Sequence, residues 1–437
     1  MAIAFVLGHV VLAMLMRAAP VIATVHAIAC LLAGLLFAGT TRRIRNVSMV
    51  VAYFAGCEVL WRMTKAEVFW EFGKYSIVAV LLVALLRIRA RANRRLALAY
   101  FALLLPSLAL TFATLNLDAA RQEVSFNLSG PLTLTVAVLF FSNVRLTATQ
   151  LFGAFIAIVG PVVGIGTLSL ISTREQDALE FVNAANNATS GGFGPNQVAA
   201  MLGLAAMFLL LIIVTERRLR WSLRLLLFGV AAGLAAQAAL TFARGGIVLA
   251  LAGMCGAMFF QLRGNTRARI TVVVVSVLCF VLGKYVIEPR LDTFTNGEFS
   301  QRFSNTQSSG RDRFISSELE IFEEHPILGA GPGIAMRIRE QRGLFYGASH
   351  TEYSRMLAEH GIFGVFAIIC LIALAIRAVR DARDTNARAI AMALVIWVGL
   401  FLLVYGTRVA APALVFGLAF AARPLPPTTR VTGGFRA

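Results

Sequence analysis

Long apolar runs recur along the whole of this chain, and only short polar joints separate them. The runs are roughly 15 to 22 residues long, and about 20 helical residues cross the hydrocarbon core of a bilayer, about 30 Å thick. We therefore expect an all-α, polytopic bundle of about twelve to fourteen transmembrane helices. The candidate spans lie near residues 2–16, 20–39, 47–61, 74–88, 96–115, 131–142, 149–171, 196–214, 223–242, 246–262, 269–287, 361–379, 388–404 and 409–422.

The composition agrees with a membrane protein. Hydrophobic residues make up 58% of the chain and charged residues 14%, whereas soluble proteins carry about 25% charged residues. The net charge of +18 would suggest a nucleic-acid partner in a soluble protein. Here most arginines lie in the joints between spans, where basic residues anchor loops on the cytoplasmic side. We expect a lipid bilayer as the environment and no nucleic-acid partner.

The arginine-rich joints predict the topology. Every second joint is basic, so these joints and both termini are expected to face the cytoplasm. The joints between them face outward, and the longest covers residues 288–360, which is long enough to escape the charge rule. The chain then divides into N-terminal helices (1–148), central helices with outward turns (149–287), a large, partly helical outer loop (288–360), C-terminal helices (361–422) and a cytoplasmic tail (423–437).

The outer loop contains a helix signature with an arginine at its start. Ser309 followed by Asp312 resembles a capping box, apolar residues follow at helical spacing, and Pro326 ends the pattern. Arg311 falls in the first turn, where a cation opposes the helix dipole unless an anion shares the site. Two interpretations stay open: Arg311 binds a phosphate-like anion, or it is a solvated arginine paired with Asp312.

Polar residues also mark the outward ends of two spans. Arg244 lies in an outward turn, where the charge rule does not explain it, and the two glycines after it would allow close approach of backbone or ligand. The alternative for Arg244 is a lipid-facing anchor. Asn196 and Gln197 begin another span after a glycine-rich stretch. They either line a headgroup site or cap the helix.

Residues 349–352 read Ser-His-Thr-Glu, which matches an S-x-x-E capping box and places His350 at the first helical position. The positive end of a helix dipole favours the neutral imidazole, and a neutral imidazole can act as a general base. The alternative is a surface histidine without a role. Glu352 and Tyr353 are further candidates for lining a donor or acceptor site.

Two other patterns in the loop are expected to be structural. Residues 329–333, Gly-Ala-Gly-Pro-Gly, lack the Lys-Ser/Thr that follows in a phosphate loop, so they predict a turn. The acidic residues of the helix before them are expected to form a solvated face, which leaves no carboxylate pair for glycosidase-type chemistry. These residues are Glu318, Glu320, Glu323 and Glu324.

The order of these segments resembles the O-antigen ligase and polymerase family of bacterial envelope glycosyltransferases. The resemblance covers roughly residues 150–380 and rests on short motifs in a fixed order around one large outer loop. The motifs are GGFGPNQ at 191–197, ARGG at 243–246, GRDRF at 310–314, HPILGAGPG at 325–333 and SHTEYSRMLAEHGIFG at 349–364.

The resemblance implies an inverting, metal-independent glycosyltransferase without a cofactor, in the bacterial inner membrane and with a periplasmic active site. Its donor would be a saccharide on undecaprenyl diphosphate, and its acceptor lipid A–core or a growing polysaccharide. Arg244 and Arg311 would hold the diphosphate, and His350 would be the catalytic residue. Family members often carry an arginine just before Gly-Pro-Asn, but residues 188–190 are Ala, Thr and Ser, so Arg174 is the candidate for that role.

Two other functions compete with this one. A phosphosugar transferase with an acidic metal site in its first outer loop is disfavoured, because the joint at 17–20 contains no Asp or Glu. A lipid-linked oligosaccharide flippase or polysaccharide transporter would be favoured by charges within spans or by inverted repeats. The sequence shows few of the former and no clear example of the latter.

Overall fold

The computed structural model describes residues 2–89, 94–175, 181, 184–216, 218–263, 266–304, 311–344, 349 and 351–422. Within these ranges all regular secondary structure is helical, which confirms the all-α prediction. Eight described helices are long and apolar enough to cross a membrane. The chain is therefore a polytopic helical membrane protein.

The long apolar helices are α2 (Pro20–Thr40), α7 (Leu117–Asn143), α8 (Ala148–Arg174), α9 (Pro195–Thr215), α10 (Trp221–Leu240), α17 (Glu352–Asp381), α18 (Thr385–Val404) and the continuous segment Arg269–Phe294. That segment joins α12 (Thr266–Val281) through one π-helical turn to α13 (Glu288–Phe294). Shorter apolar helices are α1 (Ala2–Ala18), α3 (Val47–Met63), α4 (Phe72–Leu86), α11 (Gly245–Gln261) and α19 (Ala411–Ala421). The remaining helices are α5 (Arg95–Ala102), α6 (Leu108–Thr114), α14 (Glu298–Ser304), α15 (Arg311–Glu324) and α16 (Ile334–Gln341).

One predicted span is wrong. Residues 96–115 do not form a single helix but are divided between α5 and α6. The interruption contains Pro106, which cannot donate a backbone hydrogen bond and clashes with the preceding helical turn. The next span also begins earlier than predicted, because α7 starts at Leu117 and continues through Pro131.

Hydrogen bonds join the predicted outward joints to one another. Joints distant in sequence meet in three pairs: Asn186 N–H donates to Thr241 O at 2.9 Å, Arg62 Nη1 to Arg408 O at 3.1 Å and Arg244 Nη1 to Arg302 O at 3.4 Å. The predicted inward joints meet in the same way. Here Leu146 N–H donates to Ala421 O at 3.4 Å, Arg87 Nη1 to Thr41 O at 2.8 Å and Gln261 Nε2 to Asn386 Oδ1 at 2.8 Å. The described joints therefore gather at two ends of the bundle, as the alternating charge pattern requires.

Helix α9 lies at the centre of the bundle and packs closely against α11. A Cβ added at Gly203 would lie 2.2 Å from Gly246 O, and one added at Gly246 would lie 2.2 Å from Ala199 O. Small residues allow membrane helices to approach this closely. The contact fixes the beginning of α11, where Arg244 lies.

Helix α17 has two parts that meet at Gly361. The glycine has φ +58° and ψ −137°, and Ile362 N–H donates to Pro326 O at 2.8 Å. The turn at 329–333 packs against the outer part, because Ala330 N–H donates to Ala358 O at 2.8 Å. This confirms the predicted structural turn. Residues 352–360 thus belong to the outer end, and the membrane span follows them.

Candidate functional site

Helix α17 begins two residues later than the capping-box motif predicts. Its N-cap is Thr351, whose hydroxyl accepts from Ser354 N–H at 3.2 Å. Ser349 instead closes a local turn, in which its hydroxyl accepts from Thr351 N–H at 3.2 Å. The predicted box with Ser349 as N-cap is wrong, because Thr351 has the extended conformation (φ −123°, ψ 130°) that an N-cap requires. His350 lies outside the described residues, so its role stays a prediction.

A cavity of about 730 Å³ opens beside Ser349 at the outer end of the bundle. We call it the outer cavity. It is lined by Phe69, Trp70, Glu71, Gln122, Glu123, Phe126, Asn127, Glu318, Gly333, Met336, Arg339, Ser349, Glu352, Arg355, Glu359, Gly406, Thr407 and Arg408. Ligand sites commonly occupy cavities of about 300 to 1,000 Å³ with convergent polar groups. The outer cavity is therefore large enough for a ligand and rich in polar side chains.

A buried ion-pair network forms its floor. Arg355 pairs with Glu352 and, at 2.6 Å, with Glu359. The same guanidinium donates to Asn127 Oδ1 at 3.0 Å. All three charged side chains are at most 8% exposed. Because a buried charge is tolerated only when it is paired, this network holds the outer part of α17 in a fixed position.

Glu352 lines the cavity and also binds the turn at Thr407, while its role towards a donor or acceptor stays a prediction. Its Oε2 accepts from Thr407 N–H at 3.1 Å and from the Thr407 hydroxyl at 3.2 Å. The next residue, Arg408, donates from Nη2 to Ser349 O at 2.8 Å. The residues on both sides of His350 in the sequence are therefore attached, directly or through Glu352, to residues 407 and 408.

The predicted solvated acidic face of α15 is wrong at one position. Glu318 is fully buried and pairs with Arg339 at 2.7 Å, and it accepts from the Ser354 hydroxyl at 2.5 Å. Burial raises the pKa of the Glu318 carboxyl above its usual range, although these partners oppose the shift. Glu320, Glu323 and Glu324 are exposed, as predicted.

Gln197 belongs to a second polar cluster beside the outer cavity. Arg62 donates from Nη1 to Gln197 Oε1 at 3.2 Å and to Arg408 O at 3.1 Å, and it pairs with Glu58 at 2.8 Å. Gln197 therefore links helices rather than capping α9. Asn196 is half-buried in the same first turn.

Arg244 immediately precedes α11 and is half-buried. It contacts Arg302 O, and Arg302 Nε donates to Phe242 O at 3.1 Å. The glycines after Arg244 serve helix packing, because a Cβ at Gly245 would lie 2.0 Å from the Tyr405 hydroxyl. The predicted close approach of backbone is confirmed at Gly246, where a Cβ would lie 2.2 Å from Ala199 O, and the approach of a ligand stays a prediction.

An apolar cavity of about 560 Å³ lies between α9, α10 and α11 and reaches residues 299–304 of the outer loop. Most of its lining is aliphatic or aromatic. Its outer end includes Ser300 and Ser304, which flank Arg302 in the sequence, and Ile247 on the first turn of the helix that follows Arg244. An elongated apolar group in this cavity would thus have its polar end near Arg244.

The other predicted residues lie apart from this arrangement or outside its description. Tyr353 donates from its hydroxyl to Gly399 O at 3.0 Å and lines a separate apolar cavity between α17 and α18. Arg174 is exposed in the last turn of α8. Arg311 is the first residue of α15, and its side chain lies outside the described residues. Among the described residues, no group of three or more His, Cys, Asp or Glu side chains is placed to hold a metal ion.

Residues 230–369 match the sequence model of a family described as O-antigen ligase. This part of the chain belongs to the O-antigen ligase family. No curated protein matches the chain. The matched O-antigen ligase segment runs from α10 through the outer loop into the span of α17. It includes Arg244, Arg311 and His350.

Sequence analysis missed Arg62 and Arg408, which lie outside the matched O-antigen ligase segment. Each occurs at the outward end of a span, where the positive-inside rule does not explain a cation. The argument that singled out Arg244 would also have found them. Their contact with each other depends on residues 346 positions apart, and no local pattern predicts it.

Proposed function

We propose that this protein transfers a saccharide from undecaprenyl diphosphate to an acceptor glycan at the periplasmic face of the bacterial inner membrane. One observation carries the proposal. The O-antigen ligase segment contributes Ile247, in the first turn after Arg244, to the apolar cavity and Ser349, the sequence neighbour of His350, to the outer cavity. A lipid-linked donor and a glycan acceptor need one apolar and one polar compartment of this kind.

The donor occupies the apolar cavity. Its polyprenyl chain lies among the side chains of α9, α10 and α11, because burial of apolar groups is favourable there. Its diphosphate lies at the outer end, where Arg244 binds it. Arg311 and Arg174 are the further candidate ligands of the diphosphate, since guanidinium groups bind phosphate oxygens in a bidentate manner.

The acceptor enters the outer cavity. It is either lipid A–core or the end of a growing polysaccharide, which are the two acceptors that the family serves. His350 accepts the proton of the acceptor hydroxyl as that oxygen bonds to the anomeric carbon of the donor sugar. The bond from this carbon to the diphosphate breaks, and the arginines stabilise the charge that develops on the leaving group. Direct displacement inverts the anomeric configuration and uses no metal.

The predicted topology supports a site outside the cytoplasm. The arginine-rich joints face the cytoplasm together with both termini, by the positive-inside rule. The joints that surround the outer cavity belong to the opposite, periplasmic end. A donor that has already crossed the membrane on its lipid is consistent with that side.

Replacement of Arg244 tests donor binding. We expect Arg244→Ala to weaken binding of the lipid diphosphate at least tenfold, because a charge-assisted contact is worth about 1.5 to 3 kcal/mol. Binding is measured on the purified full chain in nanodiscs with undecaprenyl diphosphate as the probe. The control is Arg290→Ala, an exposed arginine of the large outer loop. Equal affinity in the two variants would remove Arg244 from the donor site.

The two acceptors are separated in cells. Deletion that removes all surface polymer while full-length lipid-linked chains accumulate identifies a ligase. Deletion that leaves a single-repeat product identifies a polymerase. Unchanged surface glycan and unchanged lipid-linked intermediates would contradict glycosyl transfer altogether.

A further inference from the structure

The arginines of the outer cavity are already engaged by protein groups. Arg339 pairs with Glu318, and Arg355 pairs with Glu352 and Glu359. The guanidinium of Arg408 donates to Ser349 O at 2.8 Å. A phosphate or carboxylate entering the cavity would have to compete with these partners. Anion binding would therefore break buried interactions that hold the site together.

The polar groups at the mouth of the cavity are acidic or neutral. Glu71 and Gln122 make no side-chain hydrogen bond to any residue that the structure describes, and Glu123 is 17% exposed and 3.6 Å from Arg337. Five glutamates line the cavity against three arginines: Glu71, Glu123, Glu318, Glu352 and Glu359 against Arg339, Arg355 and Arg408. Two further cations, Arg337 and Arg62, lie against the lining side chains Glu123 and Trp70. The mouth thus offers hydrogen-bond acceptors and an amide, while the arginines that line the cavity are already engaged by protein groups.

Aromatic surface completes the mouth. Phe69 is 57% exposed and Trp70 is 45% exposed, and both line the cavity. Arg62 covers the Trp70 ring at 4.2 Å from its centroid, which fixes the orientation of the indole. An exposed, oriented aromatic edge beside carboxylate and amide groups suits a ligand with apolar C–H faces and many hydroxyls. A sugar ring has both.

We propose that the outer cavity binds the accepting end of the glycan as an uncharged saccharide and discriminates against phosphorylated or acidic sugars. This inference rests on the proposed function and adds the class of acceptor. It separates the two substrates by charge: the diphosphate belongs near Arg244, and the acceptor hydroxyl enters a cavity whose lining arginines are already paired with protein groups. A donor diphosphate would consequently be kept from entering the acceptor compartment.

Cysteine labelling measures the charge selectivity of the cavity without knowledge of the sugar. Gln122→Cys is placed at the mouth, and Gln341→Cys, at the exposed last residue of α16, is the control. The full chain in nanodiscs reacts with a neutral hydroxyethyl thiosulfonate or with its anionic sulfonatoethyl analogue. Peptide-resolved mass spectrometry separates each engineered cysteine from the five native ones.

We expect the anionic-to-neutral rate ratio at position 122 to be about tenfold lower than at position 341, because protein surface potentials reach several kT. Removal of the two mouth carboxylates, Glu71→Gln with Glu123→Gln, should bring the ratio close to that of the control. The matched charge control is Glu320→Gln with Glu323→Gln on the exposed face of α15. Equal ratios at positions 122 and 341 would overturn the proposal.

Protection by glycan tests the ligand itself. Glycan released from the host envelope by mild acid is divided by anion exchange into neutral and acidic fractions. The neutral fraction should slow labelling at position 122 at least fivefold and leave position 341 unchanged. Protection by the acidic fraction alone, equal protection by both, or protection by neither would each contradict the inference.

His350→Ala distinguishes this inference from the proposed function. The variant should retain protection by neutral glycan while losing transfer. If neutral glycan does not slow labelling at position 122 in a chain with His350 intact, while transfer still depends on His350, the acceptor class alone is refuted. Retained protection together with normal transfer by His350→Ala would refute the assigned base and leave the acceptor class standing.

Discussion

Gly361 separates the outer part of α17 from its membrane span, and its conformation excludes other residues. A Cβ at this position would lie 2.5 Å from Ile327 O, and a positive φ with this ψ is strained for any L side chain. We expect Gly361→Ala to lower the free energy of unfolding by about 1 to 3 kcal/mol. Thermal unfolding of the purified protein measures it.

Gly229→Ala is the control for that substitution. This glycine lies in α10 with open space around it, so alanine there should be neutral or stabilising by up to about 1 kcal/mol. If both variants have the same melting temperature, Gly361 does not hold the kink.

At the residue scale, the sequence predicts which side chains lie near a cavity better than it predicts which side chains are buried. Glu352 was expected near the site and lines the outer cavity, whereas Glu318 was expected in solvent and is buried. A glutamate on an amphipathic helix is usually exposed. The ion pair with Arg339, 21 residues away, and the hydrogen bond from the Ser354 hydroxyl make its burial possible, and these partners cannot be recognised from the pattern of α15.

Helices α1, α2 and α3 are joined by a chain of hydrogen bonds around Tyr53. His9 Nδ1 bonds to Phe5 O at 2.8 Å, so this nitrogen carries the proton and His9 Nε2 accepts from Tyr53 O–H at 3.0 Å. Trp61 Nε1–H donates to His26 Nδ1 at 3.0 Å, so His26 Nε2–H donates to the Tyr53 oxygen at 3.0 Å. The partners thus assign neutral tautomers to both imidazoles, and Tyr53 joins the three helices.

We expect Tyr53→Phe to lower stability by about 1 to 2 kcal/mol, because it removes two interhelical hydrogen bonds in a membrane protein. Surface polymer should be unchanged, since Tyr53, His9 and His26 line neither cavity. Tyr75→Phe, which loses one bond to Ser125, should cost about half as much. The midpoint of thermal unfolding in detergent compares the two, and a larger loss for Tyr75→Phe would contradict the assigned network.

At the element scale, helix existence was predictable and helix ends were not. The apolar runs give most spans correctly because burial in lipid depends on composition and length. The start of α17 was misplaced because two capping motifs overlap within residues 349–354, and the structure uses Thr351 with Ser354. The division of α5 from α6 depends on Pro106. The apolar run around it is long enough for a single span, so its length alone predicted one helix.

The alternating charge pattern is a property of the whole molecule. It predicts an orientation that labelling in spheroplasts can measure. Ser316→Cys on α15 should react with a membrane-impermeant maleimide, whereas Ser222→Cys at the start of α10 should react only after lysis; both positions are exposed. Labelling in the reverse order would invert the topology and place the proposed site in the cytoplasm.

At this scale, the sequence could not predict that the molecule contains both an apolar cavity and a polar outer cavity. The apolar cavity is lined by residues between Gly203 and Ser304, and the outer cavity by residues between Phe69 and Arg408. The relative positions of the two cavities depend on how α9, α11 and α17–α19 pack, and no single sequence motif predicts that packing. The resemblance to O-antigen ligases indicated the chemistry, while the structure adds where two substrates could meet.

The most direct measurement is transfer by His350→Ala, with His325→Ala as the control. His325 is an exposed histidine of the same outer loop, so the two variants remove the same group at different places. The assigned base predicts that His350→Ala is produced in normal amounts, lacks surface polymer and accumulates lipid-linked saccharide, while His325→Ala behaves as the unmodified chain. Near-normal polymer in the His350→Ala strain would contradict the proposed mechanism.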